Sequence, residues 1–235
     1  MKRILVFLLF TTSLLNVIAQ KTFTADGIAY SITSDNTVMV TSGKTKLASG
    51  GTYTGDITIP SKVTNSGVTY SVTAIDNYAF LSCSGLTNIH FPSGISTIGE
   101  TAFSGCDGLT SIILPDSLTF IDESVFESCS KLKSITIPSK VESIGVMAFS
   151  GCEALKSIEF PASVNDINKY AFALCELESI KVNSNPPLVL NDDPFIGIDT
   201  SIPVYVPASA LELYKEDSEW KKFTNIIGVS DKKQK

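Results

Sequence analysis

Five cysteines and a single histidine are the residues of this chain best suited to metal, disulfide or nucleophilic chemistry. Cys83, Cys106, Cys129, Cys152 and Cys175 stand 23 residues apart. No histidine or second cysteine joins any of them at ligand spacing, so no metal site is expected. A disulfide demands a particular side-chain torsion, and five evenly spaced thiols leave an odd partner. A cysteine recurring at one inward position behaves as a small apolar packing residue. Buried, reduced thiols and no disulfides are therefore expected. His90 could act as a general base only beside a nucleophile and an orienting acid. Ser111 and Ser134 fall one and two repeats further on, yet nothing supplies an oxyanion hole or a pocket. Glu159 has no second carboxylate in its column, and Asp192-Asp193 suit a turn better than a glycosidase pair. With no phosphate-binding glycine loop and no dinucleotide fingerprint, no catalytic residue and no cofactor is expected.

The elements that position these residues are set by repetition. Phe80, Phe103, Phe126, Phe149 and Phe172 keep the step of 23, as do Ile75, Ile98, Ile121, Ile144 and Ile167. A fixed period in the range of 20 to 50 residues marks a solenoid rather than a globule. Within Leu132-Lys-Ser-Ile-Thr-Ile137, apolar and polar residues alternate with period two, which describes a short strand with one face buried. Pro138 ends it, having no N–H to extend a ladder. Asp76, Gly99, Asp122, Gly145 and Asn168 follow the isoleucine column and tolerate positive φ, so a tight turn is expected there. Ala-Phe-x-x-Cys then suits one helical or 3-10 turn that places Phe and Cys on one inward side. A single rung cannot bury its apolar side alone; stacking does so.

These residues resemble the BspA-like leucine-rich repeat family, also described from a treponemal surface protein, whose unit runs Leu-x-x-Ile-x-Ile-Pro-x-x-Val-x-x-Ile-Gly-x-x-Ala-Phe-x-x-Cys. Leu132 to Cys152 follows it almost letter for letter. The resemblance implies a β-rich leucine-rich-repeat solenoid, with one short strand and one helical or 3-10 turn per 23-residue rung and a cap at each end. It also implies an exported bacterial protein concerned with surface attachment, without naming a ligand. Residues 53–183 are expected to form the repeats. Residues 20–52 are expected to form an N-terminal hairpin cap from the runs Thr22 to Ile32 and Thr37 to Thr41. A second hairpin is expected about Asn65-Ser66-Gly67. Residues 184–230 hold a degenerate last repeat, with Phe195 in the phenylalanine column, and a cap built from a last strand Pro203 to Val206, a short helix near Ala208 to Tyr214, and Trp220, Phe223, Ile226 and Ile227. Residues 231–235 are expected to be a disordered tail.

Compartment and partners follow from the ends and the charge. Lys2 and Arg3 precede an apolar run, Ile4 to Phe10, and Val17 and Ala19 suit a signal peptidase, so residues 1–19 are expected to be a cleaved export signal. The run is too short to span a bilayer, and no transmembrane segment is expected in the mature chain. The chain has 24 acidic against 18 basic residues, a formal charge of −6. Removing Lys2 and Arg3 leaves 24 against 16, or −8. Nucleic acid is a poor partner for such a surface.

What remains is the outward strand face: Asn88, Ser111, Ser134, Ser157 and Ser179 in one column, and His90, Ile113, Thr136, Glu159 and Lys181 beside it. Solenoids often bind partners on this surface. The reading is an exported, secreted or cell-surface binding protein, not an enzyme, that takes an extracellular protein or glycan on these residues. The alternatives are a structural component of the cell envelope, in which that face is only solvated sheet, and a hydrolase whose cleft the linear sequence hides.

Overall fold

The computed structural model describes residues 22–42 and 51–230. The expected export signal at 1–19, parts of the expected N-terminal cap (20–21 and 43–50) and the expected tail at 231–235 lie outside the described residues. The described residues form a stack of rungs joined by hydrogen bonds along three runs.

The first run is the strand read from Leu-x-x-Ile-x-Ile-Pro. It comprises Gly55–Thr58, Leu86–His90, Ser111–Ile112, Ser134–Ile135, Ser157–Phe160 and Ser179–Val182. All are parallel to their partners, with Ser111 opposite Ser134 and Glu159 opposite Lys181. The isoleucines of these strands are buried or half-buried, and a proline follows within three residues of the first five strands, where its missing donor prevents the ladder from continuing, while Asn183 follows the sixth. The second run is centred on the other isoleucine column, with Ile75 opposite Ile98, Ile121 opposite Ile144 and Ile144 opposite Ile167.

The third run passes through Ala-Phe-x-x-Cys. Phe80, Phe103, Phe126 and Phe149 each donate a backbone N–H to a carbonyl of the next rung at 2.8 to 2.9 Å. Within the rung, the Cys106 N–H returns to the Phe103 carbonyl at 3.1 Å and the Ala102 N–H to the Gly99 carbonyl at 3.2 Å. These bonds have 3-10 spacing but form no continuous helix, because left-handed residues interrupt them. Tyr78, Thr101, Ser124, Met147 and Tyr170 all have φ between 53° and 61°. The tight turn therefore falls two positions after the Asp/Gly column where the sequence suggested it. Left-handed φ costs an ordinary residue about 1–2 kcal/mol, and here it turns alternate N–H groups toward the adjacent rung. Gly145 serves another purpose: a Cβ there would lie 2.6 Å from the main-chain carbon of Asp122. Closeness of rungs, rather than φ, requires that glycine.

Between the runs lies a hydrophobic core. Phe80, Phe103, Phe126, Phe149, Phe172 and Phe195 stack nearly parallel, with centroids 4.9 to 5.7 Å apart. Phe195 does continue the column across the irregular rung. All five cysteines are buried and none is in a disulfide.

The ends differ from the sequence reading in detail. Thr22 to Ile32 is two strands, Thr22–Ala25 and Ile28–Ile32, because Asp26 and Gly27 (φ 48° and 77°) make a two-residue hairpin turn. With Thr37–Thr41 they form a meander. The Tyr53 hydroxyl joins it to the first rung, accepting from the Ala29 N–H at 3.0 Å and donating to the Thr41 carbonyl at 2.8 Å. The expected second hairpin is Lys62–Asn65 with Val68–Ile75, turning at Ser66-Gly67.

At the other end the strand is Val204–Pro207, a 3-10 turn at Ala208–Ala210 precedes the helix Leu211–Glu216, and Ile226–Val229 is a further parallel strand. Pro203 to Val206 is thus not the last strand. Gly228 makes this possible, its Cα lying where a Cβ would be 3.3 Å from the Ala208 backbone. Trp220, fully buried, donates from Nε1 to the Leu188 carbonyl at 2.9 Å and closes the core.

Candidate binding face

The rung strands turn one side outward, and the residues singled out from sequence lie on it. His90, Ser111, Ile113, Ser134, Thr136, Ser157 and Glu159 are exposed, whereas Asn88, Ser179 and Lys181 are half-buried. Strand alternation puts them there, since each flanks an inward residue such as Ile89, Ile112 or Ile158. The pairing extends both columns beyond the residues recognised in sequence. Asp56 stands opposite Asn88, and Glu159, Lys181, Tyr205 and Ile227 follow one another on four adjacent strands.

The two ends of this surface are chemically distinct. Near the N-terminal cap, the Asp56 carboxylate lies 3.2 Å from His90 Nε2. Asn88 Nδ2 is 3.0 Å from the same ring nitrogen and 3.4 Å from Asp56. His90 thus has an acid beside it, but its partners are Asp56 and Asn88, neither of them a nucleophile. The middle of the face is Ser111, Ser134, Thr136 and Ser157 around Ile113, whose surface is 85% exposed. A lone exposed aliphatic residue is ordinary.

The C-terminal end is concave. The Lys181 ammonium donates to Glu159 Oε1 at 2.6 Å, and Asn183 Nδ2 donates to the same oxygen at 2.9 Å and to the Phe160 carbonyl at 3.0 Å. Glu159 does not stand alone, as it did in its sequence column. These side chains form one wall of a groove of about 980 Å³, which Tyr205, Pro207 and Val229 complete. Its volume is that of sites that hold small ligands, which run to about 1,000 Å³. Asp56, Asn183 and Tyr205 were missed from sequence. The signal was present for two of them, since Asp-Ile-Thr-Ile-Pro60 and Val-Tyr-Val-Pro207 repeat the alternation of Ile135-Thr-Ile-Pro138.

The cysteine column faces the other way, into the core. Cys106, Cys129, Cys152 and Cys175 each donate Sγ–H to a phenylalanine carbonyl of the preceding rung, at 3.1 to 3.2 Å. Burial pushes the Cys129 and Cys175 thiols up to about 12. Burial, with neighbouring thiols adding to it, also raises Cys106 and Cys152. A thiol held protonated is a poor nucleophile and a poor metal ligand. Among the described residues, no three His, Cys, Asp or Glu side chains gather as a metal ion would need. Nor is any helix there long and apolar enough to cross a membrane.

Residues 73–191 match the family model of the BspA type leucine rich repeat region, in six copies. The chain belongs to that family. BspA-type repeats are typically parts of binding proteins rather than enzymes. Among solved structures, this BspA-type chain is similar to a leucine-rich repeat protein from Bacteroides ovatus at 30% identity and a TM-score of 0.59, covering 80% of this chain and 56% of that one. It thus spans little more than half the length of that relative. The T. pallidum leucine-rich-repeat protein superposes with a TM-score of 0.58 at 25% identity, over 85% of this chain and 92% of the other. A leucine-rich cell surface protein from Faecalibacterium prausnitzii shares the fold at 19% identity and a TM-score of 0.56, over 81% of this chain and 71% of that one. No curated protein matches the sequence.

Proposed function

We propose that this BspA-type chain is an exported binding protein, of the cell surface or its surroundings, that holds an extracellular partner on its strand face. The observation that carries the reading is how that face ends. From Ser157–Phe160 its columns run on through Ser179–Val182 into the C-terminal cap and end in a groove rather than on a flat surface. An assembly of fixed side chains on rigid rungs suits recognition, since little conformational freedom is lost when a partner docks. The likeness to a cell-surface protein of the same fold and the charged, apolar start of the chain support export. The net negative charge argues against nucleic acid as the partner.

The test is a binding screen of residues 20–235 against extracellular-matrix proteins and a glycan array. A variant with His90, Thr136 and Glu159 changed to alanine serves as the comparison. Binding that the variant loses supports recognition through the strand face. Binding to neither panel overturns it in favour of a structural role in the envelope, in which cap changes matter and strand-face changes do not.

A further inference from the structure

We propose that the groove at the C-terminal end of the strand face binds an uncharged oligosaccharide, with Tyr205 as the stacking platform. The inference rests on the strand-face reading above and adds to it a place and a ligand class.

Three observations lead there. The first is charge. Among the described residues that line the groove, the charged side chains are Glu159 and Lys181, and they pair with each other at 2.6 Å. The wall is therefore polar but electrically balanced. With the two charges offsetting each other, neither an anionic nor a cationic ligand gains a net attraction from the wall. A neutral ligand rich in hydroxyls can bond to the outside of the pair without breaking it.

The second is how the polar groups are held. Asn183 directs both hydrogens of its amide at fixed acceptors, Glu159 Oε1 and the Phe160 carbonyl. That orients its Oδ1 as an acceptor without a rotamer search. Asn185 Nδ2 donates to Ser209 Oγ at 3.2 Å, which leaves the serine hydroxyl proton to donate elsewhere. The wall thus offers both a held acceptor, Asn183 Oδ1, and a donor, the Ser209 hydroxyl, which ring hydroxyls can complement. A peptide strand would instead look for open backbone N–H and C=O groups. On the floor of the groove those groups are already used between Ser179–Val182 and Val204–Pro207, while Ile226–Val229 is the outer strand and pairs on one side only.

The third is the aromatic ring. Tyr205 lies between buried Val204 and Val206, so strand alternation turns it outward, where it is half-exposed between Lys181 and Ile227. An exposed aromatic face offers a large, rigid apolar area at small entropic cost. The apolar face of a sugar ring fits such a surface while its edge hydroxyls reach Asn183 and Glu159. The volume of about 980 Å³ accommodates a short oligosaccharide rather than one ring.

The experiment is calorimetric titration of residues 20–235 with neutral oligomers of glucose, mannose and N-acetylglucosamine, and with sulfated and sialylated counterparts. At least one neutral series is expected to bind, with an affinity that changes little with added salt. Tyr205→Ala should weaken it at least about tenfold, Tyr205→Phe should retain it, and Lys140→Ala, at an exposed turn outside the strand face, should leave it unaltered. The thermal midpoint of each variant confirms folding. Binding confined to the anionic glycans, neutral binding indifferent to Tyr205→Ala, or no glycan binding at all overturns the inference. If matrix proteins still bind in that last case and the His90/Thr136/Glu159 variant loses them, the strand-face reading stands while the saccharide site falls.

Discussion

The Sγ–H of Cys129 donates to the main-chain carbonyl of Phe103 in the preceding rung at 3.2 Å. Cys106, Cys152 and Cys175 repeat the contact. The cysteine column is thus a buried ladder of weak hydrogen bonds as well as apolar filling, and its protonation is coupled to folding. An unfolded thiol ionises near 9.0, whereas Cys129 and Cys175 hold their protons to about 12. Above pH 9 the unfolded chain therefore releases protons that the folded chain keeps. The stability is present in full below that value and declines as pH rises toward 12, by about 1.4 kcal/mol per pH unit for each such thiol. Urea unfolding between pH about 8 and about 10 should show this decline. Cys129→Ala should make it shallower while lowering stability at neutral pH by about 1–2 kcal/mol. An unchanged pH slope in that variant would show that the thiol does not contribute.

The phenylalanine stack makes a prediction of different magnitude. Phe126 has no exposed surface and lies between Phe103 and Phe149 at 5.7 and 5.5 Å. Phe126→Ala should cost about 3–5 kcal/mol, since the adjoining rungs are fixed by their ladders and cannot close the cavity. The urea midpoint measures it. A loss below about 1 kcal/mol would mean that the rungs do collapse into the space.

Gly145 separates crowding from conformation. Its φ is not left-handed, yet an added Cβ would lie 2.6 to 2.8 Å from the backbone of Asp122 and Glu123. At Gly67, with φ 81°, a Cβ would meet nothing within 4 Å. Gly145→Ala is expected to cost about 1–3 kcal/mol through overpacking. Gly67→Ala is expected to cost about 1 kcal/mol, from the backbone alone. Thermal midpoints of the two variants, taken side by side, decide whether inter-rung distance is as rigid as the ladders imply.

The two kinds of glycine also show what was legible in sequence. The period, the inward columns and the placing of Phe195 were readable because each is a residue type recurring at one step. The left-handed positions were not, because Tyr78, Thr101, Ser124, Met147 and Tyr170 have no shared preference for that conformation. The inter-rung bonds impose it. The outward columns were readable as far as Lys181 and then lost. From Glu159 to Lys181 the step is 22 residues and from Lys181 to Tyr205 it is 24, so constant arithmetic passes beside the residue that completes the groove. Asn183 was hidden for another reason: it takes the place of the repeat proline, and sequence alone shows the loss of a strand stop rather than the gain of an amide that holds Glu159.

The C-terminal cap holds that groove in shape, and Tyr214 is its main polar anchor. Its hydroxyl is 2.7 Å from Ser184 Oγ and donates to the Ser184 carbonyl at 3.2 Å, while its ring has no exposed surface and meets Trp220 edge-on. Tyr214→Phe keeps the ring and removes the hydroxyl, leaving buried Ser184 without those partners. The cost should be about 1–3 kcal/mol, the penalty for an unsatisfied buried group. Because a solenoid's rungs contact only their neighbours, that loss should stay near the end of the stack. Hydrogen exchange is expected to quicken across 204–229 in the variant, with the amides of Phe103 and Phe126 unaltered. Acceleration spread evenly over all rungs would show instead that cap and repeats unfold as one unit.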